Sequence, residues 1–323
     1  MKTLQARLHA IEQLARGIHR FEFRPTDGAA WPAVSAGAHV DLLLPHRLRR
    51  SYSLVNAPGE SHRYVVAVNR EESGTGGSRY LHDGLRVGQE LSISEPRNSF
   101  PLHEEATHSV FIAGGIGITP LWSMVQRLAQ LDAPWTLHYA ARTHGGAAFV
   151  DPLVGLGAEK RCAVHLYFDQ DAGGRGLDLQ AIVQASPPDA HLYCCGPVRM
   201  LTAFELAAAL HPPALVHREF FSAAAPTAQA QDSVDENFSV RLSRTGKIVP
   251  VKPGSTILEA VLDAGVDVPY SCMSGICGAC VTTVLAGVPD HRDLVLTDAE
   301  KRAGTSVVIC CSRAKTPELT LDL

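Results

Sequence analysis

Residues 272–280 read CMSGICGAC and place Cys272, Cys277 and Cys280 in the spacing C-x4-C-x2-C. A fourth cysteine, Cys310, follows after 29 intervening residues, and Cys311 lies directly beside it. The 323-residue chain has eight cysteines, five of them in its last 52 residues. Eight cysteines in a chain of this size are not expected to form a disulfide framework inside a cell, so the cluster near one end indicates a metal site.

The spacing of these cysteines favours iron–sulfur ligation over zinc binding. Four thiolates in the order C-x4-C-x2-C…C are the arrangement that holds the two irons of a [2Fe–2S] cluster. Structural zinc usually takes two C-x2-C pairs, and this segment has only one. Gly275, Gly278 and Ala279 are small enough for a tight loop that directs backbone N–H groups at the sulfurs. Cys310 and Cys311 both remain candidates for the fourth ligand.

Length, composition and charge exclude several classes of protein. A chain of this length fits two or three domains, and 46% hydrophobic with 19% charged residues is typical of a globular protein. The net charge of −4 gives no basic surface for nucleic acid or for an anionic membrane. The amino terminus has no apolar signal segment, and glycines and a proline interrupt the apolar stretch 110–125. We therefore expect a cytoplasmic protein.

The first hundred residues predict an antiparallel β-barrel or sandwich. Short strand-like runs alternate with Gly, Pro, Asn and Asp at close spacing. The predicted strands are Ile18–Arg24, Ala38–Leu44, Tyr52–Asn56, Tyr64–Asn69 and Gly88–Ser94.

Strand and helix patterns alternate from Ser109 to Phe221, which predicts an α/β domain with a parallel sheet. The predicted strands are Ser109–Ala113, Thr136–Ala141, Ala163–Phe168, Ala190–Cys195 and Leu215–Phe220, and the predicted helices are Leu121–Leu131, Leu179–Ala185 and Val198–Leu210.

Residues 222–236 read SAAAPTAQAQDSVDE, which has no hydrophobic periodicity and predicts a flexible linker. After it, strands over Phe238–Leu242 and Lys247–Val251 flank Thr245-Gly246. Thr256 with Glu259, and Thr297 with Glu300, have the spacing of helix capping boxes. The predicted boundaries are 1–103, 104–221, 222–236 and 237–323.

Two stretches of the predicted barrel suit a flavin mononucleotide. Arg50-Ser51-Tyr52-Ser53-Leu54 offers a cation for a phosphate, an aromatic face and a hydroxyl for a ring atom. Gly76-Gly77-Ser78 precedes a short helical run, where exposed N–H groups can bind an anion. Taken alone, the residues of the strand are also ordinary residues of a β-barrel.

Two glycine-containing turns follow strands of the α/β domain. Gly114-Gly115-Ile116-Gly117-Ile118-Thr119-Pro120 follows the first strand, and Cys195-Gly196-Pro197 follows a later one. The first turn lacks the G-x-G-x-x-G fingerprint, but its place at the carboxyl end of a strand is where α/β sheets bind ligands. Purely structural roles remain open: the glycines can form a tight turn, and Cys195 can be a buried core thiol.

These motifs, in this order, resemble those of the phthalate dioxygenase reductase family, which includes vanillate O-demethylase reductase subunits. The resemblance covers the whole chain and implies a multidomain protein: an antiparallel β-barrel flavin domain, an α/β parallel-sheet nicotinamide domain and a carboxyl-terminal β-grasp ferredoxin domain of plant type. It implies an NADH-dependent oxidoreductase that passes electrons through FMN and a [2Fe–2S] cluster to a terminal Rieske non-haem iron oxygenase.

The resemblance also assigns residues. It favours Cys310 as the fourth ligand beside Cys272, Cys277 and Cys280, and places Ser53, Cys195 and Phe221 at the site of hydride transfer. The implied flavin contacts are Arg50, Ser51, Tyr52, Ser53, Ala67, Val68, Asn69, Gly76, Gly77 and Ser78. The implied nicotinamide contacts are Gly115, Ile116, Gly117, Thr119, Cys195, Gly196 and Pro197.

Several alternatives stay open. Asp169 and Asp171 would repel the 2′-phosphate of NADPH, which favours NADH, whereas Arg142 could bind that phosphate. The motif R-x-Y-S also occurs in FAD-binding relatives. Other functions are a redox-sensing module without turnover, or a reductase for another acceptor such as a cytochrome P450.

Overall fold

The computed structural model describes residues 3–45, 48–72, 76–171, 176–221, 237–270, 275 and 278–323. The chain divides into two compact units, Met1–Phe221 and Ser222–Leu323. The predicted linker, 222–236, lies outside the described residues.

The first unit begins with a six-stranded antiparallel sheet in the order β4-β3-β6-β1-β2-β5. Its two ends are linked because the backbone N–H of Val55 donates to the carbonyl of Val65 at 2.9 Å, next to a bridge between Leu54 and Val66. The sheet therefore closes into the predicted barrel. Its strands are β1 (Thr3–Ala15), β2 (Ile18–Pro25), β3 (His39–Leu43), β4 (Arg49–Ser53), β5 (Tyr64–Asn69) and β6 (Glu90–Ser94).

Apolar side chains at alternate positions of these strands fill the barrel. Phe21 and Phe23 of β2, Leu42 of β3 and Ile93 of β6 are all fully buried, as the period of two in a strand requires. Between β5 and β6 a single helical turn, α1 (Gly77–Arg79), continues into a π-helical turn over Tyr80–Gly84.

The second half of this unit is a five-stranded parallel sheet in the order β11-β10-β7-β8-β9. Residues of α2 and α3 pack on one of its faces, and those of α4 and α5 on the other. This confirms the predicted α/β fold. The strands are β7 (Ser109–Gly114), β8 (Trp135–Ala141), β9 (Ala163–Phe168), β10 (His191–Cys195) and β11 (Val216–Glu219), and the helices are α2 (Ile118–Gln130), α3 (Val150–Lys160), α4 (Leu179–Ala185) and α5 (Val198–Ala207).

Besides the core inside the barrel, a second hydrophobic cluster joins the outside of the barrel to the parallel sheet. Val65 and Ala67 of β5 belong to the same buried cluster as Ile118 and Leu121 of α2. Ser123 of α2 also donates from Oγ to the carbonyl of Asn56 at 3.3 Å. Shared burial of this kind fixes the start of α2, and the glycine turn before it, against β5.

The second unit has a mixed sheet in the order β13-β12-β18-β14-β16, in which β12 and β18 are parallel. Its main helix carries Ile257, Leu258 and Val261 into the core, and its first turn has the predicted capping box of Thr256 and Glu259. This is the expected β-grasp fold. The elements are β12 (Phe238–Leu242), β13 (Ile248–Val251), α6 (Ile257–Asp263), β14 (Val281–Ala286), β15 (Pro289–Asp290), α7 (Asp298–Ala303), β16 (Ser306–Val308), β17 (Arg313–Ala314) and β18 (Glu318–Leu321).

Candidate active site

Two turns meet at the carboxyl edge of the parallel sheet, where β7 and β10 are neighbours. A Cβ atom on Gly117 would lie 2.2 Å from the carbonyl oxygen of Cys195, and one on Gly196 would lie 3.1 Å from Cα of Gly114. Only glycine fits such a close backbone approach. In the sheet β7 lies between β8, the next strand along the chain, and β10. The strand order therefore reverses at β7, and the two turns lie at the point where open α/β sheets bind ligands.

Cys195 lies directly beside Glu219 at this edge, because the register of β10 and β11 pairs the two residues. Cys195 is fully buried, and burial with the nearby carboxylate raises the pKa of its thiol well above the usual value. Burial also raises the pKa of Glu219 to about 8. Its Oε2 has no hydrogen-bond partner among the residues that the structure describes. At neutral pH both groups therefore carry their protons.

Arg50 and Tyr52 lie on one side of β4, since alternate residues of a strand share a face. The side chain of Arg50 packs on Gly77, where a Cβ atom would lie 2.6 Å from Cγ of the arginine. Gly76, before the short helix, has φ of 95°. Arg50 is thus brought to the amino end of α1, as a site for a phosphate requires. Burial raises the pKa of Tyr52 to about 12, so its phenol is neutral.

The two serines of β4 differ in their partners. Ser51 donates from Oγ to Oδ1 of the buried Asp41 at 2.6 Å, a contact that belongs to the wall of the barrel. Ser53 is buried, and its Oγ has no hydrogen-bond partner within the described ranges. A buried hydroxyl without a partner is costly, which is consistent with a ligand atom at Ser53.

The remaining predicted flavin contacts lie on β5 and α1. The carbonyl of Val68 accepts a hydrogen bond from Nε2 of His82 at 2.9 Å, so one of its lone pairs is occupied. Ala67 is buried, and Asn69 ends the strand. Ser78 accepts from the backbone N–H of Glu71 at 3.1 Å and keeps its own hydroxyl proton for another acceptor.

The other predicted nicotinamide residues lie around the two turns. Thr119 is buried and donates from Oγ1 to the carbonyl of Ile116 at 3.0 Å, which uses its hydroxyl proton inside the turn. Pro197 is the residue that precedes the first turn of α5. Phe221 is exposed over 40% of its surface, so its ring is available to a ligand.

Two of the four predicted cluster ligands lie among the described residues, and Cys272 and Cys277 lie outside them. Cys280 and Cys310 are buried, and the pairing of Val281 with Val308 brings β14 and the end of β16 together beside them. The backbone N–H of Gly275 donates to Sγ of Cys310 at 3.3 Å. Hydrogen bonds of this kind stabilise a thiolate ligand.

The alternative fourth ligand, Cys311, is half-buried and close to the same glycine. A Cβ atom on Gly275, which has φ of +71°, would lie 2.4 Å from its Sγ. That sulfur also lies 3.7 Å from the carbonyl of Val308, a weak hydrogen bond inside the fold. The N–H contact of Gly275 to Cys310 therefore favours Cys310 over its neighbour.

The sequence indicated no role for Glu219. It precedes Phe220 and Phe221, and of these three residues the resemblance assigned a role only to Phe221. The one signal in the sequence is a carboxylate near the end of a predicted strand, and its pairing with Cys195 is found only in the structure. A carboxylate oxygen that is enclosed without a partner in the described structure makes Glu219 a candidate functional residue.

Family models match two segments of the chain: a 2Fe-2S iron-sulfur cluster binding domain at residues 240–315 and an oxidoreductase NAD-binding domain at residues 111–205. A solved structure of phthalate dioxygenase reductase, described as a modular structure for electron transfer from pyridine nucleotides to [2Fe-2S], superposes with a TM-score of 0.81. It is 39% identical, and the match covers 99% of this chain and 98% of that one. The chain belongs to the phthalate dioxygenase reductase family.

Curated relatives agree over the full length. The phenoxybenzoate dioxygenase subunit beta of Ectopseudomonas oleovorans is 52% identical, and the match covers 100% of this chain and 98% of the relative. Tetrachlorobenzoquinone reductase of Sphingobium chlorophenolicum is 46% identical, with 100% and 99% covered. The predicted membership in the phthalate dioxygenase reductase family is confirmed, and so is an oxidoreductase with an NAD-binding domain and a 2Fe–2S domain. No helix within the described ranges is long and apolar enough to cross a bilayer.

Proposed function

We propose that this chain is the NADH-dependent reductase component of a Rieske-type oxygenase system that acts on an aromatic carboxylate or a related small molecule. The observation that carries the proposal is the meeting of the two glycine turns at the carbonyl of Cys195, beside strand β5 of the barrel. A nicotinamide held by these turns would lie next to a flavin held by the barrel. We place the protein in the cytoplasm.

The residues have separate tasks in this scheme. We assign Arg50, Gly76, Gly77 and Ser78 to the FMN phosphate, and Tyr52, Ser53 and β5 to the ring. We assign the turns at 115–119 and 195–197 to NADH, with Phe221 covering the flavin. Cys272, Cys277, Cys280 and Cys310 would hold the cluster. The proposed domains are 1–103, 104–221 and 237–323, joined by a linker at 222–236.

Hydride transfer needs orientation more than proton chemistry. A bound FMN would supply a centre that can accept a hydride from NADH and pass electrons on one at a time, which is the chemistry needed between a nicotinamide and a [2Fe–2S] cluster. Cys195 and Glu219 keep their protons at neutral pH, so they line the site without a fixed negative charge. The hydroxyl of Ser53, which has no hydrogen-bond partner among the described residues, can donate to a ring atom of the flavin.

Rapid mixing of the holoprotein with NADH tests the proposal. We expect loss of flavin absorbance first, then loss of iron–sulfur absorbance, and then reduction of an added Rieske oxygenase. NADPH should react much more slowly at equal concentration. Rapid bleaching of both centres without turnover of any acceptor would favour the redox-sensing module, and preferential reduction of a cytochrome P450 would favour that acceptor.

A second acceptor follows from the relatives. The 46% identity to a tetrachlorobenzoquinone reductase makes a chlorinated quinone a candidate substrate for direct reduction. Steady-state rates on one preparation distinguish these acceptors when a quinone and a Rieske oxygenase are tested in parallel. A kcat/KM for the quinone well above that for the oxygenase would replace the first proposal with the second.

A further inference from the structure

Three histidines converge at the amino edge of the parallel sheet, opposite the edge that holds Cys195 and Glu219. His191 begins β10, His217 is the second residue of β11, and His103 lies in the segment that precedes β7. Each offers a ring nitrogen, and the three nitrogens lie within 4.8 Å of one another. No residue of this cluster belongs to the proposed electron-transfer site.

In two of these rings, those of His191 and His217, one nitrogen faces a nitrogen of the other ring. Nδ1 of His191 and Nε2 of His217 are 2.9 Å apart, and their ring planes differ by only 9°. Two nitrogens bound to one metal ion at about 2.0–2.1 Å lie roughly 2.9–3.4 Å apart. The separation in this pair is therefore one that a shared ion allows. Without the ion the two nitrogens share a hydrogen bond, and both rings would rotate to direct their lone pairs at the ion.

The third ring is held close to the pair. The His103 ring lies over the other two, with centroids 4.6 Å from His191 and 4.8 Å from His217. Its backbone is fixed because the N–H of His103 donates to the hydroxyl of Tyr193 at 2.9 Å. Its side chain is exposed, so it can turn toward an ion without disturbing the core.

The environment suits a neutral imidazole site. His191 and His217 are both partly buried and lie against other imidazole rings, an environment that disfavours a charged ring. His211, the other ring near His191, is bound through Nε2 to the carbonyl of Ala190 at 2.9 Å. Neutral imidazole is the ligand that zinc, copper and nickel prefer among nitrogen donors.

We propose that His103, His191 and His217 form a binding site for one divalent transition-metal ion of the kind that prefers imidazole, with water completing its coordination. The ion would connect the segment before β7 to two strands of the sheet. It would stabilise the first unit, whereas the proposed ligands of the [2Fe–2S] cluster belong to the second. Binding needs no net release of protons from the pair, because the shared proton can move to the other nitrogen of its ring.

Zinc titration of the full-length, tag-free holoprotein tests this site. Calorimetry on wild type should show one tight equivalent, and thermal unfolding should shift upward by roughly 5 °C or more when zinc is ~100-fold above Kd. His103→Ala and His217→Ala should each weaken binding by about tenfold or more. The exposed His62 offers a matched control, and His62→Ala should bind as wild type does.

Absorbance of the flavin and the cluster reports whether each variant is folded and loaded. Because His103 is exposed, His103→Ala keeps the test valid even if His217→Ala unfolds. Equal zinc affinity in wild type and His103→Ala would overturn the proposal, since the ion would then bind elsewhere, such as at cysteines. Failure of wild type to bind zinc, nickel or copper at micromolar concentration would also overturn it.

Discussion

Cys195 and Glu219 lie side by side at the carboxyl ends of two parallel strands, with the thiol fully buried and one carboxylate oxygen enclosed without a partner in the described structure. Burial raises the pKa of both groups, and Glu219 further raises that of Cys195, because two adjacent negative charges in a low-dielectric site repel. Both side chains are therefore uncharged at neutral pH, and they ionise only in alkaline solution. This property leads to a prediction about stability.

Replacing the carboxyl group of Glu219 should make the first unit more stable in alkaline solution. The pKa of Glu219 is about 8 in the folded chain, whereas an unfolded chain releases this proton near the usual carboxyl value of 4.5. The folded state binds more protons between these values, so stability falls as pH rises through that window. Glu219→Gln removes this loss, and its free energy of unfolding relative to wild type should rise by on the order of 2–4 kcal/mol between pH 5 and pH 9.

Denaturant unfolding followed by tryptophan fluorescence measures this effect, because all three tryptophans, Trp31, Trp122 and Trp135, lie in the first unit. The exposed Glu105 provides a control, and Glu105→Gln should keep a constant difference from wild type. A difference for Glu219→Gln that does not change with pH would show that the carboxyl group is not held neutral.

Alanine variants of the two neighbouring cysteines of β10 distinguish a role in hydride transfer from a role in packing. Cys194 and Cys195 are both fully buried, but Cys194 packs with α5 and Cys195 packs in the core shared with the barrel. Each change to alanine should cost roughly 1 kcal/mol of stability. Only Cys195→Ala should slow flavin reduction by NADH, by about tenfold or more, because positioning at the reacting atoms is sensitive to small shifts. Stopped-flow absorbance gives the rate, and equal slowing in Cys194→Ala would assign the effect to packing.

The sequence predicted most of the fold because its patterns are local. Both capping boxes occur where Thr256 and Thr297 were expected, and β12 has its predicted bounds. Helix α3 was not predicted, since Pro152, Gly155 and Gly157 lower its helix propensity. Tertiary packing explains one of them: a Cβ atom on Gly157 would lie 2.7 Å from the side chain of Val164 on β9.

The candidate site was harder to predict because it depends on contacts between distant residues. The strand predicted at Tyr52–Asn56 runs from Arg49 to Ser53 instead, because Asn56 bonds through its side chain to Val65 and Arg63 and turns the chain. The closeness of Gly117 to Cys195 and the neutral state of Glu219 depend on strand pairing, which no local pattern contains. The resemblance to a family supplied Cys195, but it did not supply Glu219.

A methyl group at Gly117 should damage nucleotide binding. Its Cβ would lie 2.2 Å from the carbonyl of Cys195, so the two turns must move apart. We expect Gly117→Ala to lose about 1–3 kcal/mol of stability and to raise KM for NADH by tenfold or more. Gly155 in α3 has open space at its Cβ position, so Gly155→Ala should instead gain roughly 0.5–1 kcal/mol and leave KM unchanged. Unfolding midpoints and steady-state kinetics test both, and an unchanged KM in Gly117→Ala would contradict the assigned role of the turns.

The adjacent cysteines of the second unit offer a decisive comparison. Gly275 donates its N–H to Sγ of Cys310, whereas Sγ of Cys311 lies near the carbonyl of Val308. Cys310→Ser should therefore lose most of the cluster, seen as missing iron and missing broad visible absorbance, while reduction of the flavin by NADH continues. Cys311→Ser should keep the cluster, because it changes a side chain beside the site and not a ligand. Loss of iron in Cys311→Ser with retention in Cys310→Ser would reverse the assignment of the fourth ligand, and the N–H of Gly275 would then serve only the packing of the loop.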